Sequence, residues 1–97
     1  MSRPSKYSVY LLINPCDGRV FYVGCSAHVY RRIDQHLAGR DIRTKTDVGA
    51  IKSAGGQPVA AIVCLDKNKD FALREERRLI EAIPNLRNVM YNMERAA

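Results

Sequence analysis

Five side chains in this sequence have types and spacings that could do chemistry. Tyr10 and Tyr22 sit in the two apolar runs of "SVYLLINPCDGRVFYVG". Arg32 and His36 lie four residues apart in "RRIDQH", so on a helix they share a face. Glu76 interrupts the apolar pattern of "FALREERRLIEAI". At about 100° per residue from Ala72, Leu79, Ile80 and Ile83 form one stripe and Glu76 falls inside it, at roughly 40°. Glu75 falls toward the rim and Glu81 toward water. A carboxylate on an apolar face is costly unless it is paired or binds a cation. Taken singly, each feature has an ordinary reading: cross-strand packing for the tyrosines, a solvated rim for Arg32 and His36, a snorkelling ion pair for Glu76. Taken together they suit phosphodiester hydrolysis. A carboxylate can hold Mg²⁺, which takes oxygen ligands and few protein contacts. A guanidinium can stabilise phosphate charge, and a phenol or imidazole can take a proton from water.

The elements that must position these groups are legible. Apolar runs at Tyr7–Ile13 and Arg19–Cys25 flank "NPCDG", a turn-forming sequence, and predict a hairpin. If Asn14 pairs with Gly18, Tyr10 stands directly opposite Tyr22, and Ser8 opposite Gly24, on one face of the sheet. A one-residue slip would put the rings on opposite faces. From Ala27 to about Gly39 the pattern turns helical, with Ser26 as N-cap, Gly39 as stop, and Val29, Tyr30, Ile33 and Leu37 on the buried face. Arg32 and His36 then border the core on the solvent side. "RDIRTKTD" reads as a polar, basic connector, and Asp47–Ser53 as a short helix. "QPVAAIVCL" reads as a buried strand and Phe71–Ile83 as a helix, with Asp70 as N-cap and Pro84 as stop. The order β-β-α-α-β-α predicts an α+β fold, sandwich-like, with helices flanking a three-stranded antiparallel sheet.

The chain of 97 residues is long enough for one core, so a single domain over 1–97 is expected, with a basic arm at 1–6 and a flexible tail at 89–97. Sixteen Lys and Arg against ten Asp and Glu give a net charge of +6, which favours an anionic partner such as a phosphate backbone. Arg31, Arg40, Arg43, Lys45 and Lys52 are the expected nucleic-acid contacts, by charge and by nearness to the Arg32–His36 helix. The three cysteines form no C-x-x-C pair, which argues against a disulfide framework and a zinc knuckle. No apolar run is long enough to span a membrane, and "MSRPSKY" lacks the apolar core of a signal peptide. An intracellular, reducing, cytoplasmic location is expected, near the nucleoid if the source is bacterial.

These residues resemble the GIY-YIG endonuclease family. "SVY" at Ser8–Tyr10 looks like the GIY element and "YVG" at Tyr22–Gly24 like the YIG element. The Arg32–His36 helix is similar to the family's Arg-x-x-x-His/Tyr helix. Glu76 is similar to its metal-binding glutamate. Asn88 in "NLRNV" is similar to its late asparagine, with Asn92 a rival for that position. The resemblance covers nearly the whole chain and implies a stand-alone, Mg²⁺-dependent (or Mn²⁺-dependent) endonuclease acting on duplex or branched DNA. One ion would sit on Glu76. Tyr10 would be the general base, assisted by His36, with Tyr22 and Arg32 positioning the scissile phosphate and a 5′-phosphate on the product. Repair and recombination are among the roles this allows. Two departures stand out: Ser8 replaces the first Gly of GIY, and Cys25 follows YIG where many members carry a polar or basic residue. The family commonly fuses this module to DNA-binding or zinc domains. Without one, grip on DNA would come from the domain itself, a second copy or a partner protein. The alternative is a non-catalytic nucleic-acid-binding module that keeps the nuclease fold.

Overall fold

The structure is a computed structural model and describes residues 6–87. Most of the expected arm, the expected tail, and both Asn88 and Asn92 lie outside the described residues. Strands β1 (Tyr7–Asn14), β2 (Arg19–Ser26) and β3 (Val59–Lys67) form one antiparallel sheet in the order β2-β1-β3. Helices α1 (Val29–Leu37) and α2 (Lys45–Ser53) follow β2, and α3 (Lys69–Ala82) follows β3. The fold is α+β, in the expected order. None of the described helices is long and apolar enough to cross a membrane.

Alternation along β1 divides the core in two. Tyr10 and Leu12 join Tyr22, Val29 and Ile33 under α1, whereas Val9 joins Val23, Ala72 and Leu86 under α3. The sheet thus has a helix layer on each face, and the tyrosines belong to the α1 face.

The hairpin register differs from the expected one by two residues. Asn14 pairs with Arg19 rather than Gly18, because Pro15–Gly18 form a four-residue turn closed by Gly18 N–H donating to Asn14 O at 2.8 Å. A bulge then leaves Phe21 unpaired between Leu12↔Tyr22 and Ile13↔Val20. Each irregularity moves the pairing by one, and together they restore its parity. Tyr10 therefore stands opposite Gly24, and Ser8 opposite Ser26, while both rings keep the same face. They meet diagonally, with centroids 6.2 Å apart.

This register explains Gly24. The Tyr10 ring lies across it, and a Cβ there would fall on the ring carbons and hydroxyl. The ring is itself fully buried and has no room to yield. Gly24→Ala is therefore expected to destabilise the fold by about 3 kcal/mol, the upper end for overpacking a core. Urea denaturation measures the loss, and an altered tyrosine near-UV circular dichroism signal would report the displaced ring.

Four further expectations need correction. β3 is not a buried strand: it lies at the sheet edge, and Val59, Val63 and Leu65 are each about half exposed. A continuous apolar run does not by itself reveal whether one or both faces are covered. The cap of α3 is Asn68 rather than Asp70, its side-chain oxygen accepting from Phe71 N–H at 2.8 Å. Ser26 ends β2 instead of capping α1, and its hydroxyl accepts from His28 N–H. Tyr30, assigned to the buried face of α1, is exposed.

Candidate active site

The site is built where α1 crosses the tyrosine face. One-turn spacing on α1 puts Val29, Ile33 and His36 on the buried side. His36 is not a rim residue: it is 0% exposed. Both ring nitrogens are satisfied, which is the condition for burying an imidazole. Nε2 bonds the Tyr10 hydroxyl at 2.8 Å and Nδ1 bonds the Thr44 hydroxyl at 2.7 Å. Thr44 occupies the N-cap position of α2 but makes no side-chain cap there, because its hydroxyl serves His36. The Tyr22 ring packs on the imidazole with centroids 4.8 Å apart.

The connector between α1 and α2 supplies the next layer. Asp41 is buried and accepts from Arg32 Nη2 at 3.0 Å, from Arg43 Nη2 at 2.8 Å and from Arg43 Nε at 3.1 Å. Its other contact is the Arg43 backbone N–H, at 2.9 Å. The Arg43 guanidinium in turn lies over the Tyr22 ring, 5.3 Å from its centroid. Arg32 and His36 thus do share a face, and Asp41 approaches both, 3.7 Å from His36 Nε2.

The electrostatics follow from burial and these partners. Burial pushes the Tyr10 phenol well up, reinforced by the neighbouring Tyr22, and pushes Tyr22 up to about 12. Burial lowers His36 to about 4, against the pull of Asp41. At neutral pH the imidazole is therefore uncharged, and its approach to Asp41 is not an ion pair. Burial would also raise Asp41, but hydrogen bonds from the Arg43 side chain and backbone outweigh it and hold the carboxyl at about 2. The side-chain bond to Asp41 in turn raises Arg43.

A pH dependence of stability follows. His36 has a lower pKa folded than its ordinary 6.5, so the unfolded chain takes up more protons between about 6.5 and 4. Its contribution is fully present above that window and is lost as pH falls through it. The size is roughly 3 kcal/mol at about 1.4 kcal/mol per unit. Glu76, raised by burial, acts in the opposite sense as pH falls. The clean readout is therefore the difference between wild type and His36→Gln in urea midpoints from pH 7 to pH 4, which is expected to narrow steadily as pH drops.

Glu76 comes from α3. It is half-buried, and burial raises its pKa, with Arg43 pulling the other way. Its charge is also felt by Tyr22 and by Cys25, so it lies within electrostatic reach of the tyrosine site. Glu76 makes no hydrogen bond or ion pair among the described residues, whereas its neighbour Glu75 is paired with Arg78. No group of three or more His, Cys, Asp or Glu side chains converges among the described residues. Magnesium asks for less: one or two carboxylates, with water and substrate phosphate completing the shell. An unpartnered, half-buried carboxylate in a basic setting fits that demand.

Cys25 faces the α3 side beside Glu76, and burial, with the Glu76 charge adding to it, pushes its thiol up to about 11. It is a protonated, packed thiol at neutral pH. All three cysteines are free. Of the expected nucleic-acid contacts, Arg31, Arg40, Lys45 and Lys52 are exposed along α1, the connector and α2. Arg43 is instead drawn into the site by Asp41. Sequence reasoning missed Asp41 and Thr44. The available signal is one aspartate set among arginines directly after the Arg32–His36 helix.

Residues 6–88 match the GIY-YIG catalytic domain. No curated protein and no solved structure gives a significant match. With the match spanning nearly all of the chain, and with Tyr10, Tyr22, Arg32 and His36 gathered on one face of a β-β-α-α-β-α fold, the chain belongs to the GIY-YIG family of nucleases.

Proposed function

We propose that this protein is a metal-dependent endonuclease that hydrolyses phosphodiester bonds in DNA, with Tyr10 as general base. The observation that carries the reading is the Tyr10 hydroxyl bonded to a buried, neutral His36 beside Tyr22 and two clamped arginines. Nucleases of this family are in general metal dependent. One Mg²⁺ or Mn²⁺ ion held by Glu76 and water would polarise a phosphoryl oxygen and ease departure of the leaving oxygen.

The chain's own residues supply the rest. Tyr10 is protonated at neutral pH, so it acts as a relay. In the tautomer with Nδ1–H donating to Thr44, His36 Nε2 accepts the phenolic proton as the phenolic oxygen takes one from water. The water oxygen bonds to phosphorus as the bond to the 3′-oxygen breaks, leaving a 5′-phosphate. The resulting imidazolium has Asp41 at 3.7 Å to stabilise it. Arg32 balances charge on the phosphate, and Tyr22, packed on the His36 ring, orients it. Arg31, Arg40, Lys45 and Lys52 bind flanking backbone, and Asn88 is assigned the supporting role of the family's late asparagine.

The experiment is a panel of plasmid, branched and single-stranded DNA with Mg²⁺ or Mn²⁺, read by mapping product ends. Cleavage that leaves 5′-phosphates and stops with a chelator is expected. Salt-sensitive binding without any product on every substrate would instead identify a non-catalytic DNA-binding module.

A further inference from the structure

Asp41 and Arg43 form a device that the reaction scheme above uses only in part. A buried carboxylate normally pairs with one cation, and burying such a pair is a poor way to gain stability. Here one carboxylate, 6% exposed at its side chain, gathers two guanidiniums. Each arginine keeps about a third of its side chain exposed, 31% for Arg32 and 37% for Arg43. Neither is spent on its partner. Arg32 gives Nη1 to Gln35 and Nη2 to Asp41, leaving Nε uncommitted among the described residues. Arg43 gives Nε and Nη2 to Asp41, leaving Nη1 uncommitted. With His36 neutral, two arginines against one carboxylate leave the cluster one net positive charge, opposite a phosphodiester that carries one negative charge. Asp41 also prevents the two cations from repelling each other apart. The Arg43 guanidinium lies over Tyr22, whose ring touches His36, so the cradle adjoins the tyrosine–histidine cluster.

We propose that Asp41 is a positioning residue that holds Arg32 and Arg43 as one two-guanidinium cradle for the phosphodiester under attack. Arg43 then shares that phosphate with Arg32 instead of gripping flanking backbone. This rests on the nuclease reading for the identity of the phosphate, but its test does not need cleavage.

The probe is a DNA dinucleotide, which carries a single phosphodiester, titrated without metal into the full chain. Arginine Nε–H resonances are followed by ¹⁵N NMR. The Arg32 and Arg43 signals are expected to shift together with one dissociation constant. Arg43→Gln and Asp41→Asn should each weaken binding by about tenfold, and Asp41→Glu should recover part of the loss. The double variant Asp41→Asn/Arg43→Gln should bind no more weakly than Asp41→Asn alone, since residues acting as one unit are not additive. Movement of the Arg32 signal alone, or wild-type binding by Arg43→Gln, overturns the proposal. Wild-type binding by Asp41→Asn overturns it equally. A nuclease reading that fails looks different: cradle binding persists while metal-dependent cleavage is absent.

Discussion

Glu76→Ala is expected to lose metal-dependent cleavage by about a thousandfold or more while the protein melts at the same temperature or higher. The two halves of this result come from one fact. Glu76 is half-buried and makes no hydrogen bond or ion pair among the described residues, and burial disfavours its charge. Removing it breaks no partnership in the fold and relieves a desolvated carboxylate. In the proposed reaction its role is to bind a cation. Without that ion the loss is several kcal/mol of transition-state stabilisation, and about 4 kcal/mol is a thousandfold in rate. Glu76→Gln, which keeps the shape and removes the charge, should behave alike. Glu75→Ala is the matched control: it removes a neighbouring carboxylate whose partner is the exposed Arg78, and cleavage should survive. Initial rates with Mn²⁺ and thermal melts on the same preparations provide both readouts.

Tyr10→Phe is expected to damage both activity and stability, which sets it apart from Tyr22→Phe. The Tyr10 hydroxyl is a buried partner of His36 Nε2. Deleting it leaves a fully buried imidazole nitrogen unsatisfied, at a cost of about 1–3 kcal/mol. It also removes the proton relay, worth roughly 10²–10⁴-fold. The Tyr22 hydroxyl, by contrast, makes no hydrogen bond among the described residues, and no buried polar side-chain atom there lacks a partner. Tyr22→Phe should therefore lower the rate with little change in urea midpoint. Comparable stability for both variants would mean that the Tyr10–His36 bond contributes nothing to the fold.

Much of this site is legible in the sequence because periodicity encodes it. The tyrosines share a face because strand parity is fixed, and it survived a two-residue change in register because the turn and the bulge each contributed one. Helical spacing alone brings Arg32 and His36 together and places Glu76 on the inner side of α3. Asp41 and Thr44 are invisible to that logic. They sit in the middle of the connector and at a helix cap, where no period dictates direction; the role of Thr44 depends on His36 being buried deep enough to need two partners, and that of Asp41 on the two arginines it gathers. The depth of His36 was equally hidden, since a histidine at the edge of an apolar stripe reads as a rim residue until its partners are known. The edge position of β3 is a matter of strand order, which an apolar run does not record.

The most direct test of the central claim, that Tyr10, Tyr22, Arg32, His36 and Glu76 form one hydrolytic site, is a side-by-side rate measurement. Supercoiled plasmid is incubated with wild type, Tyr10→Phe and Glu76→Ala in the presence of Mg²⁺. Nicking by wild type and a loss of at least about a hundredfold in each variant are expected. A Glu76→Ala or Tyr10→Phe protein that nicks at the wild-type rate would contradict that claim.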